Sequence, residues 1–349
     1  LEKIEAAIQL CSKHKTNRKS VKKVLANQRY YALKIQNTLE DESFEPTIRP
    51  KFKIIDGVSK KEREIDSAPF FPDQIIHTLL ITEFKPYFMK GMYEFCCACV
   101  SNRGSHYGKK YVERWIKTDK SNVKYYLKLD IKKYYPSLKP KVVWKILCKK
   151  FKNCKAMRML KKIIFAYPNL PIGLLTSQWL ANFCLQELDH YIKEVLQTPH
   201  YIRYLDDMIL FSSNKKKLHQ ARIMIGNFLA GMDLQLKSTW QVSRFDYFDK
   251  SSKRKGQDLD FMGFRFFRDK TIMRKAISLR IRRRVAKVSK ISKPSIKDVK
   301  AVLSYFGWIK HTNSFNFYND VVRKNLDIKK LKRMVSNYDR SKRFATGSI

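Results

Sequence analysis

Three aspartates stand where their side chains can act together. Asp206 and Asp207 are adjacent and interrupt an otherwise apolar, β-favouring run, Tyr201-Ile202-Arg203-Tyr204-Leu205 before and Met208-Ile209-Leu210-Phe211 after. Both flanks are rich in β-branched and aromatic residues, so the pattern predicts a β-hairpin with the acids at its turn. A carboxylate pair between buried strands is costly unless something cationic compensates it. Taken alone, the pair also fits an ordinary Asp turn. Asp130 is the third acid and ends a predicted strand, Tyr125 to Leu129. An acid at the C-terminal end of one strand and a pair at a neighbouring hairpin tip can converge on one point. Converging carboxylates repel one another, and divalent cations relieve that repulsion. Hard oxygen ligands with open positions suit Mg²⁺ held together with a phosphate substrate. Two such ions about 3.5–4 Å apart are the clamp used for in-line nucleotidyl transfer.

The chain that must position these acids has 349 residues, enough for two or three packed subdomains. Its 73 Lys and Arg against 31 Asp and Glu give a formal net charge of +42, the electrostatic footprint of a nucleic-acid binder. A basic membrane-surface protein is the rival, but no strongly amphipathic terminal helix or lipidation signal supports it. No run approaches the roughly 18 apolar residues of a membrane span. Hydrophobic content of 44% with only 11 Gly and 11 Pro fits a globular chain without low-complexity linkers. The first residue is Leu rather than Met, so a preceding segment is left open. Cys11, Cys96, Cys97, Cys99, Cys148, Cys154 and Cys184 are odd in number and lack metal-like spacing, which predicts buried reduced thiols in a cytosolic protein.

The expected elements are a basic helical segment over 1–40, a strand at Lys51–Ile55 and a basic loop, Lys60-Lys61-Glu62-Arg63. A helix follows Pro72-Asp73, and an amphipathic helix ends near Trp115. Helical patterns fill 139–166, a turn and helix cover 169–196, and a helix covers 215–230. Strands are expected over 240–267 and Arg- and Lys-rich helices from about 276 to 345. No internal repeat of fixed period is present.

Leu127-Lys128-Leu129-Asp130 with an aromatic five positions after the acid, then Tyr204-Leu205-Asp206-Asp207, then Phe261-Met262-Gly263-Phe264, resembles the ordered motif series of reverse transcriptases. The resemblance spans roughly residues 50–310 and implies an α+β right-hand polymerase. Its layout would be a basic helical extension (1–48), fingers (49–120), a palm whose antiparallel sheet carries the acids (121–267) and a helical thumb (268–349). It implies that Asp130 and Asp206 bind two Mg²⁺ ions, or Mn²⁺ in their place, with Asp207 in support and the backbone carbonyl of Ile131 completing a metal shell. Tyr135 would lie under the incoming sugar and reject a 2′-hydroxyl, although it also fits a core aromatic. Lys61 and Arg63 would meet the triphosphate, although they also fit a solvated loop. Lys237 falls near a lysine proposed to donate a proton to pyrophosphate. Phe261, Met262, Gly263 and Phe264 would grip the primer.

The segment Leu170-Pro171-Ile172-Gly173-Leu174-Leu175-Thr176-Ser177-Gln178 narrows the class. Gly173 permits close backbone approach to a nucleotide or template base, and Ser177 and Gln178 open a helix whose polar edge can face the base pair. Ile172 before the Gly and the Ser-Gln ending resemble the reverse transcriptases of diversity-generating retroelements, as do Ala181-Asn182, Leu188-Asp189, Met273-Arg274-Lys275 and the thumb-like stretch Ser304–His311. That likeness implies frequent errors opposite template adenine. Arg280, Arg282, Arg283, Arg284, Lys287 and Lys290 would track the phosphates of an RNA–DNA duplex, or simply form a solvated face. Phe306 and Trp308 read as core. No Val-Thr-Gly occurs in the thumb region, against a retron enzyme, and the residues after Phe264 suffice for a thumb but not also for an RNase H or endonuclease domain.

The expected partners are an RNA template, a primer with its cDNA, and dNTPs, with a small basic accessory protein as a further candidate and no membrane. The expected location is the cytoplasm, for a prokaryotic or phage-encoded protein. Two readings compete: a defence-associated reverse transcriptase of the abortive-infection or unknown-group kind, and an inactive RNA-binding scaffold.

Overall fold

The computed structural model describes residues 1–55 and 62–345. The chain divides into two compact units: Leu1–Gly104 with Ser121–Val242, and Ser105–Lys120 with Ser243–Ile349. This division cuts across the expected four-part layout. The helix Ser105–Thr118, expected with the fingers, belongs with the C-terminal unit, as do the short strands after Val242.

In the first unit, three helices, Glu2–Ser12, Lys19–Ala26 and Gln28–Glu40, form the expected N-terminal segment. Strands β1 (Phe52–Ile55) and β2 (Glu62–Ile65) pair antiparallel, with Ile54 opposite Arg63. Glu62 and Arg63, expected in a loop, are therefore strand residues. The alternating charges of Glu62-Arg63-Glu64 hid a strand whose side chains are nearly all exposed.

The core strands are β3 (Tyr125–Asp130), β4 (His200–Tyr204) and β5 (Asp207–Ser212), with β5 in the middle of the three. Met208, Ile209, Leu210 and Phe211 of β5 are all fully buried. Successive strand residues point to opposite faces, so this strand is covered on both. The helix Lys215–Ala230 packs on β3 and β5, burying Leu218, Ala221, Ile225 and Leu229, one stripe at helical spacing. Asn214 caps its start, accepting from the Lys216 amide at 2.8 Å. The helix Ile75–Lys90 packs on Leu175–Cys184 and on Glu2–Ser12, so one apolar core runs from the N-terminal helices to the sheet.

Two small apolar clusters lie among the described residues of the second unit. Met273, Ile277, Ile281, Val285 and Ile309 form one, with Val321 and Val322; Val288, Val299, Val302 and Leu331 form the other. The strands Leu259–Phe261, Phe264–Phe266 and Thr271–Met273 make a three-stranded antiparallel sheet. Phe306 and Trp308 pack against the first of these cores, as expected. Cys11, Cys96, Cys97 and Cys184 are buried, whereas Cys99, Cys148 and Cys154 are exposed, and all seven are free. Among the described residues no helix is long and apolar enough to cross a membrane.

Candidate active site

The β4–β5 hairpin closes in two residues, Leu205 and Asp206, since Tyr204 pairs with Asp207. On the other side of β5, Asp207 is directly opposite Asp130 of β3. Residues directly opposite on paired strands share a face, with their Cβ atoms about 4.5–5.5 Å apart. Two acids from strands far apart in sequence are thus locked in register, with the third in the intervening turn. The Ile131 amide donates to the Asp206 carbonyl at 3.3 Å, tying the turn to the end of β3.

The electrostatics match the crowding. The Asp206 carboxyl is pushed up to about 6, first by burial and then by the charge of Asp130, with Lys237 opposing. Lys237 Nζ forms an ion pair with Asp130 Oδ2, and its amide donates to the Asp130 carbonyl at 2.8 Å. Asp130 Oδ1 is buried and has no hydrogen-bond partner among the described residues. A buried carboxylate oxygen left open in this way is the kind of group that a cation satisfies. Ile131 faces Leu236 in an isolated bridge whose hydrogen bonds run through Lys132, Gln235, Asp130 and Lys237, leaving the Ile131 carbonyl outside them. Among the described residues no group of three or more His, Cys, Asp or Glu side chains stands in ligating geometry.

Tyr135 is half-buried, and its hydroxyl is pushed up by burial, then by the charges of Cys99 and Asp206. Its neighbour Tyr134 is the buried one and donates to the Ala181 carbonyl at 2.7 Å. Asp130, Ile131, Asp206, Asp207 and Lys237 are therefore brought together in the first unit, with Tyr135 five residues beyond Asp130 in the chain.

Other expected site residues are placed differently. Gly173 has φ +120°, and a Cβ there would sit 2.3 Å from the Asp66 carbonyl oxygen. The close approach expected toward a nucleotide is instead made to the protein's own backbone, and the Asp66 amide donates to the Ile172 carbonyl at 2.8 Å. Ser177 is 1% exposed, so the expected primer or template contact is corrected to a buried helical position; Gln178 is exposed. Arg63 is exposed on β2, and Lys61 lies outside the described residues.

In the second unit Phe261 and Phe264 pair across the two-residue turn Met262-Gly263, where φ is +51° and +88°. Both rings are fully buried, so these two expected primer contacts are corrected to supports of the turn. A Cβ on Gly263 would lie 2.6 Å from the Trp308 ring. Of these four residues only Met262 is partly exposed and so available for contact. Arg282, Arg283 and Lys287 are exposed on the helix Lys275–Ser289, with the Arg282 guanidinium 5.1 Å from the Phe317 ring centre.

The sequence reading counted Arg203 as part of an apolar run. Arg203 is fully buried and forks onto Asp189, Nε to Oδ1 at 2.7 Å and Nη2 to Oδ2 at 2.6 Å. One signal was available: a lone cation at a core-facing strand position needs a buried acid. No spacing rule identifies that acid as Asp189.

Residues 73–266, more than half of the chain, match the family described as reverse transcriptase (RNA-dependent DNA polymerase). The chain is 33% identical over 110 residues to the Retron Ec73 reverse transcriptase of Escherichia coli, covering 28% of this chain and 34% of that protein. It thus spans about a third of the length of the curated relative it matches. Among solved structures it is similar to telomerase from Candida albicans in complex with the TWJ fragment of telomeric RNA. That match has a TM-score of 0.44 and 11% identity over 92% of this chain and 65% of the other.

Proposed function

This chain belongs to the reverse transcriptase (RNA-dependent DNA polymerase) family, and we propose that it joins dNTPs to a primer 3′-hydroxyl on an RNA template. The observation that carries the reading is the pairing of Asp130 with Asp207 across β3 and β5, with the raised carboxyl of Asp206 in the adjoining turn. Asp130, Asp206, Asp207 and the Ile131 carbonyl would hold Mg²⁺, with Mn²⁺ as a substitute. Two such ions, when bound, favour the deprotonated 3′-hydroxyl and neutralise charge on the triphosphate and leaving pyrophosphate. Lys237, which pairs with Asp130, would supply a proton to the leaving pyrophosphate. Tyr135 offers a rigid ring against which a 2′-hydroxyl would clash, and Arg63 and Lys61 supply cations for the triphosphate.

The right-hand arrangement of fingers, palm and thumb is part of the same proposal. In it the exposed Arg282, Arg283 and Lys287 follow duplex phosphates. Replacing Arg283 and Lys287 together by Ala should lower the slope of log affinity against log salt for an RNA–DNA duplex by roughly 1 per residue. Filter binding across a salt series measures it. An unchanged slope would make these cations a solvated face.

Within the family, Ile172 and the Ser177-Gln178 ending support a diversity-generating element. An aliphatic side chain in place of Gln removes a hydrogen-bonding group near the nascent pair and loosens the geometric check. Misincorporation opposite template adenine should fall severalfold in Ile172→Gln; identical sequenced error spectra would refute the link. A retron element is the second reading, favoured by the 33% identity to the Escherichia coli enzyme despite the missing Val-Thr-Gly. The assay for polymerisation itself is Mg²⁺-dependent extension of a DNA primer on an RNA template, with chelator as the control.

A further inference from the structure

The turn that presents Asp206 is built from an unfavourable residue. Leu205 has φ +55°, the left-handed region that two-residue hairpin turns fill with Asn, Asp or Gly and that a branched apolar side chain avoids. Such a conformation persists only where surrounding structure over-determines it.

That structure is Arg203. Its Nη1 donates to the Leu205 carbonyl at 3.0 Å and to Asn182 Oδ1, also at 3.0 Å. The rest of the guanidinium is committed to the fork on Asp189. Each partner is itself held. Asn182 Nδ2 donates to the Ala98 carbonyl at 2.8 Å, and the Tyr201 hydroxyl donates to Asp189 Oδ1 at 2.8 Å. The Arg203 backbone is fixed too, its amide donating to the Phe95 carbonyl and its carbonyl accepting from the Cys97 amide. Arg203 and Asp189 are both fully buried.

A buried ion pair is weak evidence for stability, because desolvation consumes most of what the attraction supplies. One arm of the guanidinium remains for the turn, where it meets the Leu205 carbonyl. The Leu205 carbonyl belongs to the peptide unit whose nitrogen is that of Asp206. A hydrogen bond to that oxygen therefore sets the plane from which the Asp206 side chain departs. On the other side, the Asp206 carbonyl accepts from the Ile131 amide. Both peptides flanking Asp206 are thus anchored, one to Arg203 and one to β3.

We propose that Arg203 is a positioning residue: held by Asp189 and Asn182, it fixes the Leu205–Asp206 peptide and so orients Asp206 for nucleotidyl transfer. This rests on the polymerase reading of the site.

The test is steady-state primer extension with dNTP and Mg²⁺ each varied, together with thermal unfolding, on the full chain and three variants. Arg203→Lys keeps a charge for Asp189 but loses the planar fork that leaves one arm for the turn. The triple variant Arg203→Met, Asp189→Leu, Tyr201→Phe replaces the buried polar group by apolar side chains. Asn182→Ala leaves the ion pair in place and loosens only its support. We expect Arg203→Lys to lower kcat at least tenfold, with KM for dNTP within about twofold and half-saturating Mg²⁺ raised severalfold. The triple variant should unfold at or above the wild-type midpoint yet show the same fall, and Asn182→Ala a smaller one. Wild-type kcat and Mg²⁺ dependence in a folded Arg203 variant would overturn the proposal. So would activity that follows the unfolding midpoint across the set, or failure of all three to fold, since either makes the network structural. Asp206→Asn is the control: if it retains incorporation, the polymerase reading fails whatever Arg203 does.

Discussion

Asp206→Asn should abolish dNTP incorporation while making the chelator-treated protein more stable at pH 8. The two effects share one cause. Burial and the charge of Asp130 push the Asp206 carboxyl up to about 6, so the folded chain prefers it neutral. A group raised on folding contributes stability that is fully present below its unfolded value and lost as pH rises through its folded value. At pH 8 the wild-type chain has lost that contribution, whereas Asn, never charged, keeps it. The full shift corresponds to about 3 kcal/mol, and because Asp206 is only partly shielded from solvent we expect roughly 1–2 kcal/mol after screening. The gain should be seen above pH 6 and vanish below about pH 4, as pH-dependent denaturant unfolding in chelator will show. Activity should fall on the order of 10³-fold or more, as when one member of a catalytic unit is removed. A variant that is less stable than wild type at pH 8 would mean that Asp206 is not under the electrostatic load described.

The second large effect is at Gly173. An alanine there must accept φ +120° and place its Cβ 2.3 Å from the Asp66 carbonyl oxygen, a backbone atom that cannot rotate away, and 2.8 Å from Ile65 Cγ2. Left-handed strain and overpacking together should cost about 2–5 kcal/mol, read as a lower denaturant midpoint at unchanged slope. Wild-type stability combined with weakened dNTP binding would instead return Gly173 to the role expected from sequence, close approach to a nucleotide.

That contrast marks where the sequence was legible. The β4–β5 hairpin was readable because its turn acids interrupt a β-favouring run, and β3 because an alternating strand ends on Asp130. Their convergence was only a possibility from the strand-end acid and the hairpin-tip pair, and an expectation from the family resemblance. The helix at 215–230 was readable from its apolar periodicity. Contacts made by single residues across long separations were not readable. Lys237 meets Asp130 over a gap of 107 residues, and Gly173 meets Asp66 through a backbone atom that no side-chain pattern encodes. Arg203 was hidden by its neighbours, since one cation among Tyr201, Ile202 and Tyr204 does not disturb a strand pattern. Phe261 and Phe264 were assigned to the primer because the string Phe261–Phe264 resembles the family's grip motif, yet both rings are fully buried. The helix Ser105–Thr118 shows an apolar face in sequence, but nothing in the sequence says which unit's core it joins.

The central claim is that Asp130, Asp206 and Asp207 act as one site for copying RNA into DNA. It is tested most directly by extending a DNA primer on an RNA template with the purified chain, with and without Mg²⁺, beside Asp130→Asn and Asp206→Asn. We expect full-length cDNA from the wild-type chain with Mg²⁺, none with chelator, and none from either variant. Extension that survives either substitution, or no extension by the folded wild-type chain with Mg²⁺ and a paired primer, would contradict it.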